Sequence, residues 1–104
     1  MKIFSVQPSF KGFVKIHKTS DKNFYPIVNT SNILGFDSLE SDNGYHNSVS
    51  FIDDSGKVRQ ISNFHSKQDK DELLEEPVGE DFIRIIPKVC LEADKTGEIL
   101  SIGV

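Results

Sequence analysis

The chain is poor in the residues that small secreted domains depend on. It holds one cysteine, Cys90, so no disulfide can form within it. A small domain without such staples points to a reducing compartment, and the expected location is the cytosol. Tryptophan is absent, and arginine is limited to Arg59 and Arg84. No apolar run approaches the roughly 20 residues of a membrane-spanning helix. The opening stretch MKIFSVQPSF carries only a brief apolar run before Pro8, too short for the core of a signal peptide.

The usual chemical fingerprints are missing as well. There is no phosphate-binding G-x-x-x-x-G-K-[ST], no dinucleotide G-x-G-x-x-G and no nucleophile-elbow G-x-S-x-G. Asp53-Asp54-Ser55-Gly56 lacks the acid spacing and downstream glutamate of a calcium loop. One cysteine and no close histidine pair exclude the familiar structural zinc patterns. No cofactor is expected. His17, His46 and His65 fall on separate predicted elements. A histidine pair with a lysine would suit general acid–base transfer, but nothing in their spacing supports it. The expectation is a protein that is not an enzyme.

What is present is one modest globular domain spanning residues 1–104. The hydrophobic fraction is 37% and there are ten aromatics, eight Phe and two Tyr. Without Trp, the core of such a domain is built from Phe, Ile, Val and Leu.

The net charge of −4 is unevenly spread. Residues 1–36 hold Lys2, Lys11, Lys15, Lys18 and Lys22 against Asp21, a net +4. Residues 69–81 hold Asp69, Asp71, Glu72, Glu75, Glu76, Glu80 and Asp81 against Lys70, a net −6. One short segment therefore carries more negative charge than the whole chain. Such a block costs self-repulsion and creates a field that steers cationic partners.

Alternation marks most of the predicted elements as strands. Ile3–Val6 is a short strand ended by Pro8. Phe10–Lys18 is a second, with Val14 and Ile16 on one face and Phe13, Lys15 and His17 on the other. Phe24–Val28 is a third, and Pro26 places it at an edge or bulge. Ile33, Phe36 and Leu39 have helical spacing, which predicts a short helix within Thr30–Ser41, weakened by Gly35. Ser41-Asp42-Asn43-Gly44 is a turn.

Ser48–Ile52 and Lys57–Asn63 form a hairpin around Asp53–Gly56. Ser66–Glu76 is predicted as a helix, with Ser66 and Asp69 as a capping pair and acids in its first turn. The stretch Asp81–Val104 reads as a second hairpin and the centre of the sheet. Ile83, Ile85, Val89 and Leu91 take one side, and Asp94-Lys95-Thr96-Gly97 is the turn. Two turns ending in glycine raise an internal duplication, although common turn chemistry accounts for both. The expected fold is mainly β or α+β: an antiparallel sheet of six or seven strands built from hairpins, with one or two short helices.

Two surfaces carry a functional reading. The acidic block, Asp69 to Asp81, is either a solvated helix or a docking surface for a basic protein, where clustered carboxylates mimic a phosphate track. The N-terminal lysines interleave with Phe4, Phe10, Phe13, Phe24 and Tyr25, which could form a platform for single-stranded nucleic acid. Against that, the overall charge is acidic and nucleic-acid binders are normally basic. The reading that fits size, acidity and missing motifs is a small cytoplasmic inhibitor of bacterial or phage origin. It would be of the immunity-protein or antitoxin type, with a basic toxin or nuclease as partner. The alternative is a nucleic-acid-binding module.

Overall fold

The computed structural model describes residues 12–23, 25–67 and 77–104. Six strands, a 3₁₀ turn and one helix follow one another in these residues. The strands are β1 (Phe13–His17), β2 (Ile27–Asn29), β3 (Ile33–Glu40), β4 (Gly44–Ile52), β5 (Val58–Ser66) and β6 (Leu100–Gly103). The helix is α1 (Glu80–Thr96), and the 3₁₀ turn spans Thr30–Asn32. The class is α+β, as expected. The expected single sheet is not found: the strands form two sheets of three, ordered β2-β1-β6 and β3-β4-β5. Nor is the pairing wholly antiparallel, because β1 and β6 run parallel.

Alternation explains the sheets locally. In β1, Val14 and Ile16 are fully buried, while Phe13 and Lys15 point the other way. In β4, Asn47, Val49 and Phe51 face inward. The β4–β5 hairpin turns at Asp53–Gly56, where the sequence places it. The Asp42-Asn43-Gly44 turn joins β3 to β4. As the Pro26 argument requires, β2 is an edge strand.

The predicted helix within Thr30–Ser41 is corrected. Asn29 caps a short 3₁₀ turn through its side-chain oxygen, and the chain then extends as β3. The helical spacing arises from a β-bulge. Ile33 pairs with Phe51 and Gly35 with Ser50, so Leu34 is an extra residue on β3. The bulge resets the parity, which lets Ile33 and Phe36 pack on the same core although they lie three apart.

The predicted hairpin at Asp81–Val104 is also corrected. Most of it is α1, and only β6 is a strand. Phe82, Ile86 and Ala93 are fully buried, with Val89 and Cys90 packed beside them. Their spacing of four, three, one and three is a helical stripe. Pro87 lies on the exposed side of this helix and marks no sheet edge. Gly97 ends it in the left-handed conformation, φ 73°, with its N–H on the Ala93 carbonyl. The same glycine-last pattern that reads as a hairpin turn serves here as a helix C-cap. The two Asp-x-[Ser/Thr]-Gly motifs are thus a hairpin turn and a helix end, and the duplication falls. Cys90 sits on α1, not on a strand, and burial, followed by the nearby Asp94 carboxylate, pushes its thiol pKa up.

The predicted strand Ile3–Val6 lies outside the described residues. The predicted helix Ser66–Glu76 does too, beyond its first two residues, and Ser66 itself is the last residue of β5.

The core lies between the sheets and α1. It joins Val14, Ile16 and Val28 to Val49 and Phe51, with Phe82, Ile86, Ala93, Ile102 and Val104 closing it. Side-chain polar groups tie the sheets together. The Asn63 amide donates to Thr19 Oγ1 at 3.2 Å and to the Val104 carbonyl at 3.1 Å. Thr30 Oγ1 donates to Asp94 Oδ1 at 2.7 Å. None of the helices among the described residues is long and apolar enough to cross a membrane.

One polar side chain in the core is completely buried. Asn47 Oδ1 accepts from Ser38 Oγ at 2.6 Å, and its amide donates to the Pro77 carbonyl at 3.0 Å. The Gly79 N–H in turn donates to Ser38 Oγ at 2.6 Å. Asn47→Leu should lower stability by about 1–2 kcal/mol, because the partly buried Ser38 hydroxyl and Pro77 carbonyl each lose a partner. Urea unfolding of both proteins measures the difference.

Candidate functional site

The start of α1 meets the turn end of the β3–β4 hairpin in a groove of about 730 Å³. Ser38 and Glu40 come from β3, Tyr45 from β4, and Gly79, Glu80, Ile83 and Arg84 from the start of the helix. The register makes this site: Glu40 stands opposite Tyr45 across the Asn43-Gly44 turn. Gly79 has φ 62°, and a Cβ there would lie 3.4 Å from the Tyr45 ring. Glycine lets the chain turn against the aromatic ring and start the helix.

The electrostatics are acidic. Glu40 bonds the Lys67 ammonium at 2.8 Å, and that ammonium stands 5.6 Å from the Tyr45 ring centroid. The Lys67 hydrogen bond and charge hold the Glu40 carboxyl below its ordinary range, and Glu40 raises Lys67 in return. Arg84 is bound to Asp81, one turn earlier on the helix. Among the described residues, the two cations at this end, Lys67 and Arg84, are therefore already engaged by carboxylates. Asp42, which adds to the field on Lys67, and Glu80 complete the acidic set. Ile83, 37% exposed, provides an apolar spot on the groove wall.

Of the seven predicted partner-binding residues, Glu80 and Asp81 are found here, both exposed in the first turn of α1. Asp69, Asp71, Glu72, Glu75 and Glu76 lie outside the described residues. The described residues that flank them, Lys67 and Pro77, are both held at this end. Lys67 N–H donates to the Asn43 carbonyl at 2.9 Å, and Pro77 is bound by Asn47. Glu40, Asp42, Tyr45 and Lys67 were not expected in the site. Their one signal is the Asn-Gly turn, which brings Glu40 opposite Tyr45 once β3 is read as a strand.

The three histidines are not brought together. His17 Nδ1 lies 2.9 Å from the Lys18 carbonyl, and His46 stacks on Phe64 at 4.8 Å on the outer face of β4. His65 faces the interior, with its Nε2 buried and unpartnered. Among the described residues no three His, Cys, Asp or Glu side chains are grouped to hold a metal ion.

A second groove, of about 720 Å³, lies at the opposite end of the hairpin, beside Tyr25, Pro26 and the Asp53 turn. There Asp53 Oδ1 accepts from Ser55 N and Oγ and from Lys57 N, while Oδ2 binds Arg59. These groups are internal to the turn and serve its shape.

Comparison with family models, characterised proteins and solved structures finds no match to this chain.

The Ser55 hydroxyl, then Arg59 and the Lys57 amide, hold the Asp53 carboxyl far below the usual carboxylate range. Its stabilisation is complete above an unfolded pKa of about 4 and fades as pH falls toward the folded value. Asp53→Ala should therefore lower Tm at pH 7, and the gap to the wild type should narrow steadily below about pH 4. Paired thermal melts across pH 2–7 read this out.

Proposed function

We propose that this protein is a small non-catalytic inhibitor of the immunity-protein or antitoxin type, which binds a basic toxin, most directly a nuclease, and covers its active site. A phage inhibitor of a host nuclease would use the same physics. The observation that supports this most is the gathering of Glu40, Asp42, Glu80 and Asp81 around an open groove whose local cations are already paired. The five acids of residues 69–76 are joined to that same end through Lys67 and Pro77. The mechanism is long-range steering of a cationic surface toward this end, followed by packing on Tyr45 and Ile83. Complementary charge acts mainly on the association rate and on partner choice.

A second reading has its own observation. On the outer face of β2-β1-β6, Phe13 and Tyr25 are each 40% exposed, and Lys15 Nζ lies 4.7 Å from the Tyr25 ring centroid. Aromatic faces beside lysines suit stacked bases and a phosphate backbone.

Capture from lysate of the source organism, with nuclease added to remove bridging nucleic acid, should recover a stoichiometric basic protein. Changing Glu72, Glu75 and Glu76 together to Lys should slow association with it by about 10-fold or more at low salt, with little change in Tm. Unaltered affinity in the triple variant would rule out acidic docking. For the second reading, titration with a single-stranded oligonucleotide at several salt concentrations is decisive. Binding whose salt slope drops by about 0.7 in Lys15→Ala would favour it, and no binding at low salt would remove it.

A further inference from the structure

The sheet β3-β4-β5 has a second face, turned away from the core. Alternation and register assign its residues in rows. At one end Leu39, His46 and Phe64 lie side by side, with Leu39 64% and Phe64 42% exposed. At the other end Ile52 and Val58 are paired, and Leu34 is the extra bulge residue between the Ile33–Phe51 and Gly35–Ser50 pairs. Val58 is 67% and Leu34 55% exposed. Between these apolar bars run two rows of small polar residues: Asp37, Ser48 and Ser62, then Gly35, Ser50 and Gln60.

Asp37 is the sole charge among these twelve positions, and its carboxylate already accepts from Ser48 Oγ at 2.7 Å. At the chain's charged fraction of 27%, about three charges would fall among these twelve positions, of which only Ser48 is buried, and depletion of charge marks the centre of interfaces. The charges gather instead beyond the ends, with Glu40, Asp42 and Lys67 at one and Asp53, Asp54 and Lys57 at the other.

We propose that this face is a self-association surface whose occupant is a second copy of the same chain. The pattern itself selects the occupant. Apolar, polar, polar, apolar reads the same from either end. A copy turned over by a two-fold axis running across the strands lays each apolar bar on the other and each polar row on a polar row. One patch therefore complements itself, with no added charge to be matched. A partner selected by charge would find almost nothing to read on this face. The net charge of −4 opposes contact between copies, and opposes it least where charge is absent.

Three strands of about nine residues give a footprint of roughly 30 by 15 Å. That is smaller than the about 800 Å² per partner of a standard interface, which puts the pairing among weak, reversible contacts.

Sedimentation velocity of the full chain from about 5 to 500 μM, the range in which weak self-association shows, tests the proposal. The expected result is a monomer–dimer equilibrium that survives a rise in salt from low to about 0.5 M, because the face is uncharged. Leu39→Lys with Val58→Lys should weaken it by about 30-fold or more. Both side chains are exposed, so thermal melts should show the variant folded. Ser62→Glu, which leaves both apolar bars intact, should weaken it as well. A wild type that stays monomeric throughout would overturn the proposal. So would a dimer that salt dissolves, or one that these variants leave unchanged, since its contact would lie on other surfaces.

Discussion

The start of the helix is held to the sheets by a buried amide. Asn47 occupies the central strand of its sheet at a position where alternation calls for an apolar residue. Its carboxamide offers one acceptor and two donors, and the surrounding chain is arranged to use them. Gly79 N–H, Ser38 Oγ and Asn47 Oδ1 form a directed chain, and the Asn47 amide then holds the Pro77 carbonyl. A leucine would bury comparable area but could not specify where the incoming backbone must stop. The amide therefore trades some packing for position. It sets Pro77 and Gly79, and with them the first turn of α1 and the wall of the acidic groove. A hydrogen bond of this kind contributes about 1 kcal/mol net, and losing it costs most where the groups left behind are shielded from water.

The second constraint is the parallel pairing of β1 with β6. Parallel neighbours need a crossover, and here nearly the whole chain lies between them. Leu100–Gly103 can reach β1 only after α1 has crossed the core. The end of that path is fastened by polar groups. Val104 N–H donates to His17, Thr19 N–H donates to Val104, and the Asn63 amide donates to the same carbonyl. One carbonyl thus joins a β1 extension, the chain end and β5. These bonds tie the two three-stranded sheets around the single core they share.

How much of this was legible in the sequence depended on whether one face of each element is buried cleanly. In β1 buried and exposed residues alternate, and the β4–β5 hairpin has a defined turn, so both are found. However, β4 begins at Gly44 rather than Ser48, where Asn47, Ser48 and Val49 are buried in succession and the alternation is lost. In α1 the signal is mixed. Ile83, Ile85 and Leu91 are apolar yet 37%, 41% and 62% exposed, and they supply the period-2 pattern that mimics a strand. The stripe that folding uses, Phe82, Ile86 and Ala93, is sparser and easily overlooked beside them. In β3 the bulge at Leu34 reverses the error, since a strand with one extra residue shows a helix-like interval between Ile33 and Phe36. The site was legible to the same extent. Glu80 and Asp81 stand out as charge in a linear reading, whereas Glu40 and Tyr45 become neighbours only through a hairpin register.

The described surface divides its charge by element, and this bears on how the molecule would meet other molecules. Acidic groups concentrate where α1 begins, Lys15 lies with Phe13 and Tyr25 on the outer face of β2-β1-β6, and the outer face of β3-β4-β5 is almost uncharged. Charge acts over a Debye length of about 8 Å at physiological salt, while apolar contact acts only at touching distance. An approaching cationic protein is therefore turned toward the acidic end before any other surface is felt. Two copies of this chain would repel until their uncharged faces are close enough to touch. Binding at the acidic end would be fast and salt-sensitive, and pairing through the uncharged face would be slower and indifferent to salt. The two contacts meet on the same β3–β4 hairpin, where Leu39 adjoins Glu40 and His46 adjoins Tyr45, so a large partner at the acidic end would stand close to the first apolar bar.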